Sequence, residues 1–311
     1  MRSNTRVQAG VAVRGTVDAA GLRLRDHARR KKTNARLASL AWHAFLLGAA
    51  FIMLYPLLWL LGNSFEESVT VIMQSRRVFP QTFSLDNYAN GLEGFFRVPF
   101  LVFFRNSFLV VGLQVLGTVA STSFTAFAFA RLEFRFQKVF FAVMMATIML
   151  PHHATLIPQY VMFHRLGWVG TYLPLIVPRF LATAGFFVFL NVQFMRSIPE
   201  DFDNAAYVDG CTPFDVYFRI ILPLSVPALI TATIFSFIWS WNDFFSHLLY
   251  ISDVSRYTVS LGLRLFLDSQ SESAWGSMLA MSVLSLVPVF IMFVLMQRYL
   301  IEGVTAGGVK G

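Results

Sequence analysis

Apolar residues run along this chain in long unbroken blocks. A helix needs about 20 consecutive apolar residues to cross a bilayer. Five stretches free of Asp, Glu, Lys and Arg reach that length: Leu37–Phe65, Asn106–Ala130, Val139–His164, Ile220–Trp241 and Ala274–Gln297. A sixth, Tyr172–Met195, is interrupted only by Arg179. The pattern predicts an all-α polytopic membrane protein with six transmembrane helices, over about 37–61, 106–130, 139–158, 172–195, 220–241 and 274–297. The third is expected to end early, because Pro151, His152, His153 and Pro158 interrupt it.

Composition excludes a soluble globule. Of 311 residues, 56% are apolar and 14% charged, against about 25% charged in an ordinary soluble domain. Cys211 is the sole cysteine, which removes intramolecular disulfides and cysteine-based zinc sites. The net charge of +8 does not point to nucleic acid, since ten of the 25 basic residues fall within residues 1–36, ahead of the first apolar block. Such a tail sets topology. With the N-terminus cytoplasmic, 17 basic residues lie on the inner side and eight on the outer, so both termini are predicted to be cytoplasmic. The first apolar block is too long for a signal peptide and no clear cleavage site follows, so the tail is expected to stay attached as a disordered segment.

The loop 196–223 is the most informative between spans. Ser197-Ile-Pro-Glu200 reads as a capping box that starts a short helix, with Phe202, Ala205, Ala206 and Asp209 on one face. Gly210 suits the left-handed position that ends a helix, and Thr212-Pro213 restarts one, with Phe214 and Phe218 sharing a face. The result is a compact helical knob whose phenylalanines serve either a partner's groove or the lipid interface.

Asn204-Ala205-Ala206, three residues, Gly210, nine residues, and Ile220-Ile-Leu222-Pro223 resemble the Glu-Ala-Ala coupling loop of binding-protein-dependent ABC importer permeases, with Asn204 in place of the Glu. Trp239-Ser-Trp241-Asn242-Asp-Phe244, Met149-Leu-Pro151 with Ile157-Pro158, and the ending Gln297-Arg-Tyr through Gly303-Val-Thr-Ala-Gly-Gly-Val-Lys-Gly311 are similar to segments of the same family in the same order. The ending resembles the maltose-type carbohydrate permeases. The resemblance implies a type I ABC importer permease fold in the bacterial inner membrane. It assigns ATPase coupling to Asn204, Ala205, Ala206, Asp209, Gly210, Phe214, Ile220, Leu222 and Pro223. It also implies a second permease subunit, usually a different chain, two cytoplasmic ATPase subunits that bind ATP and Mg, an extracytoplasmic binding protein and a saccharide cargo.

This chain holds no Walker loop and none of its four lysines sits in one, so it is expected to bind no cofactor and to hydrolyse no ATP itself. An ion-gradient-driven carrier is the leading rival, but spans one, two, five and six lack Asp and Glu. An intramembrane enzyme built on His152, His153 and His164 lacks a carboxylate to complete a metal set. For the substrate path the candidates are Arg179, Trp239, Trp241 and Asn242. Tryptophan at a span end also serves as an interfacial anchor, and Arg179 either snorkels to the outer headgroups or receives an anionic saccharide. Gln114, Ser121, Thr122, Ser123 and Thr125 line a polar path or act as packing positions.

With the loop cytoplasmic, a membrane-impermeant maleimide is expected to leave Cys211 unlabelled in intact cells and to react after permeabilisation. Labelling of intact cells would invert the topology.

Overall fold

The computed structural model describes residues 38–67, 78–80, 82–268 and 274–308. The basic tail 1–36 lies outside them. The chain divides into two units, Met1–Leu60 and Leu61–Gly311. The first contributes most of one apolar helix, α1 (Ala38–Asn63), which coincides with the predicted first span. The second unit holds the remaining helices.

Its elements in order are α2 (Asp86–Glu93), α3 (Phe100–Arg131), α4 (Gln137–Ile148), α5 (His152–Arg165), α6 (Leu173–Ile176, continued by a 3-10 turn Val177–Leu181) and α7 (Gly185–Ser197). They continue with α8 (Asp201–Val208), α9 (Pro213–Val216, a π turn Tyr217–Ile221 and Leu222–Leu224), α10 (Val226–Trp241), α11 (Phe245–Tyr250), α12 (Val259–Asp268) and α13 (Ala274–Gly308). Among the described residues the only β pairing is an isolated Phe95–Val98 bridge. Among the described residues four helices are long and apolar enough to cross a membrane, and two bent pairs bring the number to six if each pair counts as one span.

Helix α3 is the mast around which the unit packs. Its 32 residues span about 48 Å at 1.5 Å per residue. It contacts α7, α10, α12 and the 3-10 turn. The buried positions Phe103, Ser107, Val110, Gln114, Gly117 and Thr118 recur at three- and four-residue spacing, so one stripe faces protein. Without water, buried polar groups must pair inside the protein. Thr122 donates to the Thr118 carbonyl at 2.6 Å and receives the Asn191 amide of α7 at 3.3 Å. Asn106 donates to the carbonyls of Ser255 and Tyr257, both at 2.9 Å, and the Ser107 hydroxyl accepts from the Val259 amide at 2.8 Å. Ser107 and Thr122 of α3 are therefore packing ties.

Several expected boundaries shift for identifiable reasons. Helix α3 begins at Phe100, after Pro99, because Arg105 sits on its exposed side and does not interrupt it. The third span is two helices, α4 and α5, separated at Met149–Pro151, since Pro151 lacks the N–H that would continue α4. The fifth begins at Val226, set at 72° to the preceding Pro213–Leu224 helix. The last continues to Gly308.

The fourth span is cut in two. Its helix gives way to the 3-10 turn, and Ala182 adopts φ +54°, a left-handed conformation uncommon outside glycine. The turn lies tight on α3: the Ser121 hydroxyl donates to the Arg179 carbonyl at 2.7 Å, and a Cβ on Gly117 would stand 2.6 Å from the Phe180 ring. Gly117→Leu is accordingly expected to destabilise the protein by about 1–3 kcal/mol through overpacking. Phe180→Ala in the same chain should recover part of the loss, read as the melting temperature of the detergent-purified protein.

Candidate functional site

The loop between α7 and α10 forms the expected knob, though not from the expected cap. Ser197 is the last residue of α7, its hydroxyl donates to the Phe194 carbonyl at 2.7 Å, and α8 starts four residues later at Asp201 with Glu200 at its N-cap position, so Ser197 is out of register to cap it. No Ser197–Glu200 capping box forms; α8 starts at Asp201 with Asp201 and Asp203 in its first turn, where the helix dipole favours negative charge. The other end of α8 follows expectation. Gly210 has φ +82°, its N–H donates to the Tyr207 carbonyl at 3.1 Å, and the Cys211 N–H donates to the Ala206 carbonyl at 3.0 Å. These two bonds close a Schellman motif. Thr212 and Asp215 then exchange hydrogen bonds in a full capping box at the start of α9. The Thr212 hydroxyl and amide hold the Asp215 carboxyl below the usual carboxylate range.

The knob has two faces. Inward, Ala206, Val216, Tyr217 and Ile221 join Phe127 and Phe129 of α3 and Val188, Val192 and Met195 of α7 in one buried cluster, with Ile220 and Leu222 packed against it. Tyr217 shares a 3.0 Å hydrogen bond with Ser123. Pro223 has no N–H for the Arg219 carbonyl, and the turn before it widens to π geometry. Outward, Asn204, Ala205, Asp209, Phe214 and Pro223 are exposed, beside Phe202, Phe218 and Val208, the last 88% exposed.

The residue that fixes the knob was not singled out in the sequence. Arg131, the last residue of α3, places its Nε 2.9 Å from Asp203 Oδ2, with side chains only 4% and 9% exposed. Its Nη2 donates to the Ile198 carbonyl at 2.7 Å, while Arg196 donates in return to the Phe129 carbonyl at 3.2 Å. Burial pushes the Asp203 carboxyl above its ordinary range, and the nearby guanidinium only partly offsets that. The pair therefore specifies position more than it adds stability.

The four candidates for a substrate path separate in the structure. Trp241 is buried, donates from Nε1 to the Ser285 carbonyl at 3.1 Å and packs among Phe104, Phe108 and Phe237. Asn242 turns back to donate to the Ile238 carbonyl at 2.8 Å, and Trp239 lies against Phe186, Phe187 and Phe235. Arg179 lines a cavity of about 460 Å³ together with Gln114 and Asp243, and the three other candidates are not part of that lining. Asp243 lies in a segment whose tryptophans and amide drew attention first, and nothing in the sequence placed it opposite Arg179.

A family model described as the binding-protein-dependent transport system inner membrane component matches residues 121–302. The probable ABC transporter permease protein YurM of Bacillus subtilis is 33% identical over 267 residues, which are 86% of this chain and 87% of that protein. The trehalose/maltose transport system permease protein MalG of Thermococcus litoralis is 33% identical over 262 residues, 84% of this chain and 93% of that one. Among solved structures, a bacterial ABC transporter involved in the import of the acidic polysaccharide alginate superposes with a TM-score of 0.75 at 21% identity. That match covers 85% of this chain and 96% of the other, and it shows a common fold.

Removing one partner of a buried ion pair costs about 3–5 kcal/mol, whereas replacing both with apolar groups is often neutral. Arg131→Gln is expected to lower the melting temperature of the purified protein and to expose the 197–213 segment to protease. Arg131→Met combined with Asp203→Leu should restore the melting temperature. If the single substitution is silent, the pair does not hold the knob.

Proposed function

The chain belongs to the family of binding-protein-dependent transport system inner membrane components, and from that premise we propose that it is one of two membrane-spanning subunits of an ATP-driven saccharide importer. It crosses the membrane six times with both termini in the cytoplasm. Its partners are a second permease, two ATPase subunits that bind ATP and Mg, and an extracytoplasmic binding protein that delivers the cargo. The carbohydrate named for the Thermococcus relative and the alginate named for the structural neighbour support a saccharide.

The observation that carries the reading is the two-faced knob. Its inner face is bound to α3 and α7 by the Arg131–Asp203 pair and the aromatic cluster. Its outer face presents Phe202, Val208, Phe214 and Phe218, each half or more exposed among the described residues. Apolar side chains on a short amphipathic helix suit a groove in a partner. In this mechanism, closure of the ATPase subunits moves the knob, and the buried pair passes that motion to the end of α3. Asn204, Ala205, Asp209 and Gly210 shape the docking face. Ala206, Ile220 and Leu222 serve the inner one, and Pro223 sets the turn into α10.

Gly210 offers a clean test, since no atom stands within 4 Å of an added Cβ and only its left-handed backbone is at issue. Gly210→Val is expected to cost about 1–2 kcal/mol locally, on the order of a tenfold weaker docking. ATP-driven uptake by the reconstituted complex should fall sharply while the second permease still copurifies. Unchanged transport would remove Gly210 from the coupling unit.

A further inference from the structure

The cavity beside Arg179 is built rather than incidental. One wall is the broken part of span four, fixed by three contacts: the Ser121 hydroxyl on the Arg179 carbonyl at 2.7 Å, the Phe180 ring against Gly117, and the Thr183 hydroxyl on the Pro178 carbonyl at 2.8 Å. Irregular backbone within a membrane protein is tolerated where protein covers it or where it lines a polar cavity. Here it brings Arg179 into a space of about 460 Å³, within the 300–1,000 Å³ range of small-molecule sites.

The cavity also contains polar atoms that lack partners. Gln114 and Tyr250 are 1% and 3% exposed, both line the space, and among the described residues neither Gln114 Oε1 nor Tyr250 Oη has a hydrogen-bond partner. One is an acceptor and the other can donate. Leaving such groups unpaired is costly, and a solute with hydroxyl groups, which donate and accept at once, would satisfy both. Phe163, Trp168 and Tyr250 supply flat apolar walls.

Charge decides the class of solute. A lone guanidinium would favour an anion, as the sequence suggested for Arg179. The Asp243 carboxylate, however, lines the same cavity, and the two charges do not close onto each other as an ion pair. Together they cancel, and the carboxylate would repel an anionic cargo. A neutral polyol can bridge them, accepting from Arg179 and donating to Asp243. We infer that this cavity is a binding subsite in which this chain itself holds an uncharged, hydroxyl-rich solute of about one or two sugar rings. The inference rests on the importer reading above and adds to it both a location and a charge class.

The test uses the complete importer with its binding protein in proteoliposomes, with copurification of the partner subunits measured for every variant. Met162→Cys, in a chain also carrying Cys211→Ser, places one thiol on the cavity wall away from the contacts that fix it. The probes are neutral mono-, di- and trisaccharides, including maltose and trehalose, and the acidic trigalacturonate. The expected result is ATP-dependent uptake of a neutral saccharide that also slows maleimide labelling of the introduced thiol. Gln114→Met should reduce both effects about five-fold, the loss expected for one hydrogen bond. If a saccharide is imported and labelling is indifferent to it, the cavity holds only water and the inference fails while the importer reading stands. If trigalacturonate is imported in preference to the neutral saccharides and is the probe that slows labelling, the charge assignment is overturned. If no saccharide is imported on ATP addition, the importer reading falls and takes the inference with it.

Discussion

The packing of α3 against its neighbours holds two distant regions in one register. At its end Arg131 reaches Asp203 and the Ile198 carbonyl, which fixes the knob. Ten residues earlier Ser121 grips the Arg179 carbonyl, and Gly117, one turn before that, receives the Phe180 ring, which fixes the cavity wall. Within the bilayer the chain has no water to fall back on, so the Ser121 contact is also a requirement of burial, while the Arg131 contacts secure the end that carries the knob. The same bonds that make α3 tolerable in the membrane make it a rigid link between the knob and the cavity.

The Arg131–Asp203 pair shows why rigidity and stability should be kept apart. Burial raises the Asp203 carboxyl even with a guanidinium beside it, so the pair gains little over hydration in water. What it supplies is a single allowed arrangement, because any displacement of the knob strands a charge in a dry interior. The apolar cluster of Phe127, Phe129, Val192, Val216 and Ile221 adds the non-directional attraction. Cluster and pair act on the same joint with different selectivity.

Much of this was legible in the sequence because it is local. Charge-free blocks located the spans, and Gly210 and Thr212-Pro213 announced a helix end and a restart that the structure contains. The losses came from long-range contacts. Ser197 is the local exception: α7 runs through it and α8 starts only at Asp201, so the helix boundary falls later than its capping pattern suggests. Trp241 read as a ligand candidate because its bond to the Ser285 carbonyl joins α10 to α13. Arg131 looked like one of several basic residues at a span end, and its partner in α8 lies far along the chain. Asp243 gained meaning only when the break in span four brought Arg179 into one cavity with it and with Gln114, which the sequence had already offered as part of a polar path.

The continuity of α3 between Ser121 and Arg131 bears on how this protein can change over evolution. Successive residues of a helix are rotated by about 100° and advanced by about 1.5 Å. Inserting or deleting one residue in that interval would turn Arg131 away from Asp203 while Ser121 stayed on the Arg179 carbonyl, and no side-chain adjustment could restore both. Point substitutions on the lipid-facing side are cheap by comparison. The interval should therefore drift in sequence while keeping its length, as a measured rod does between two fixed pins.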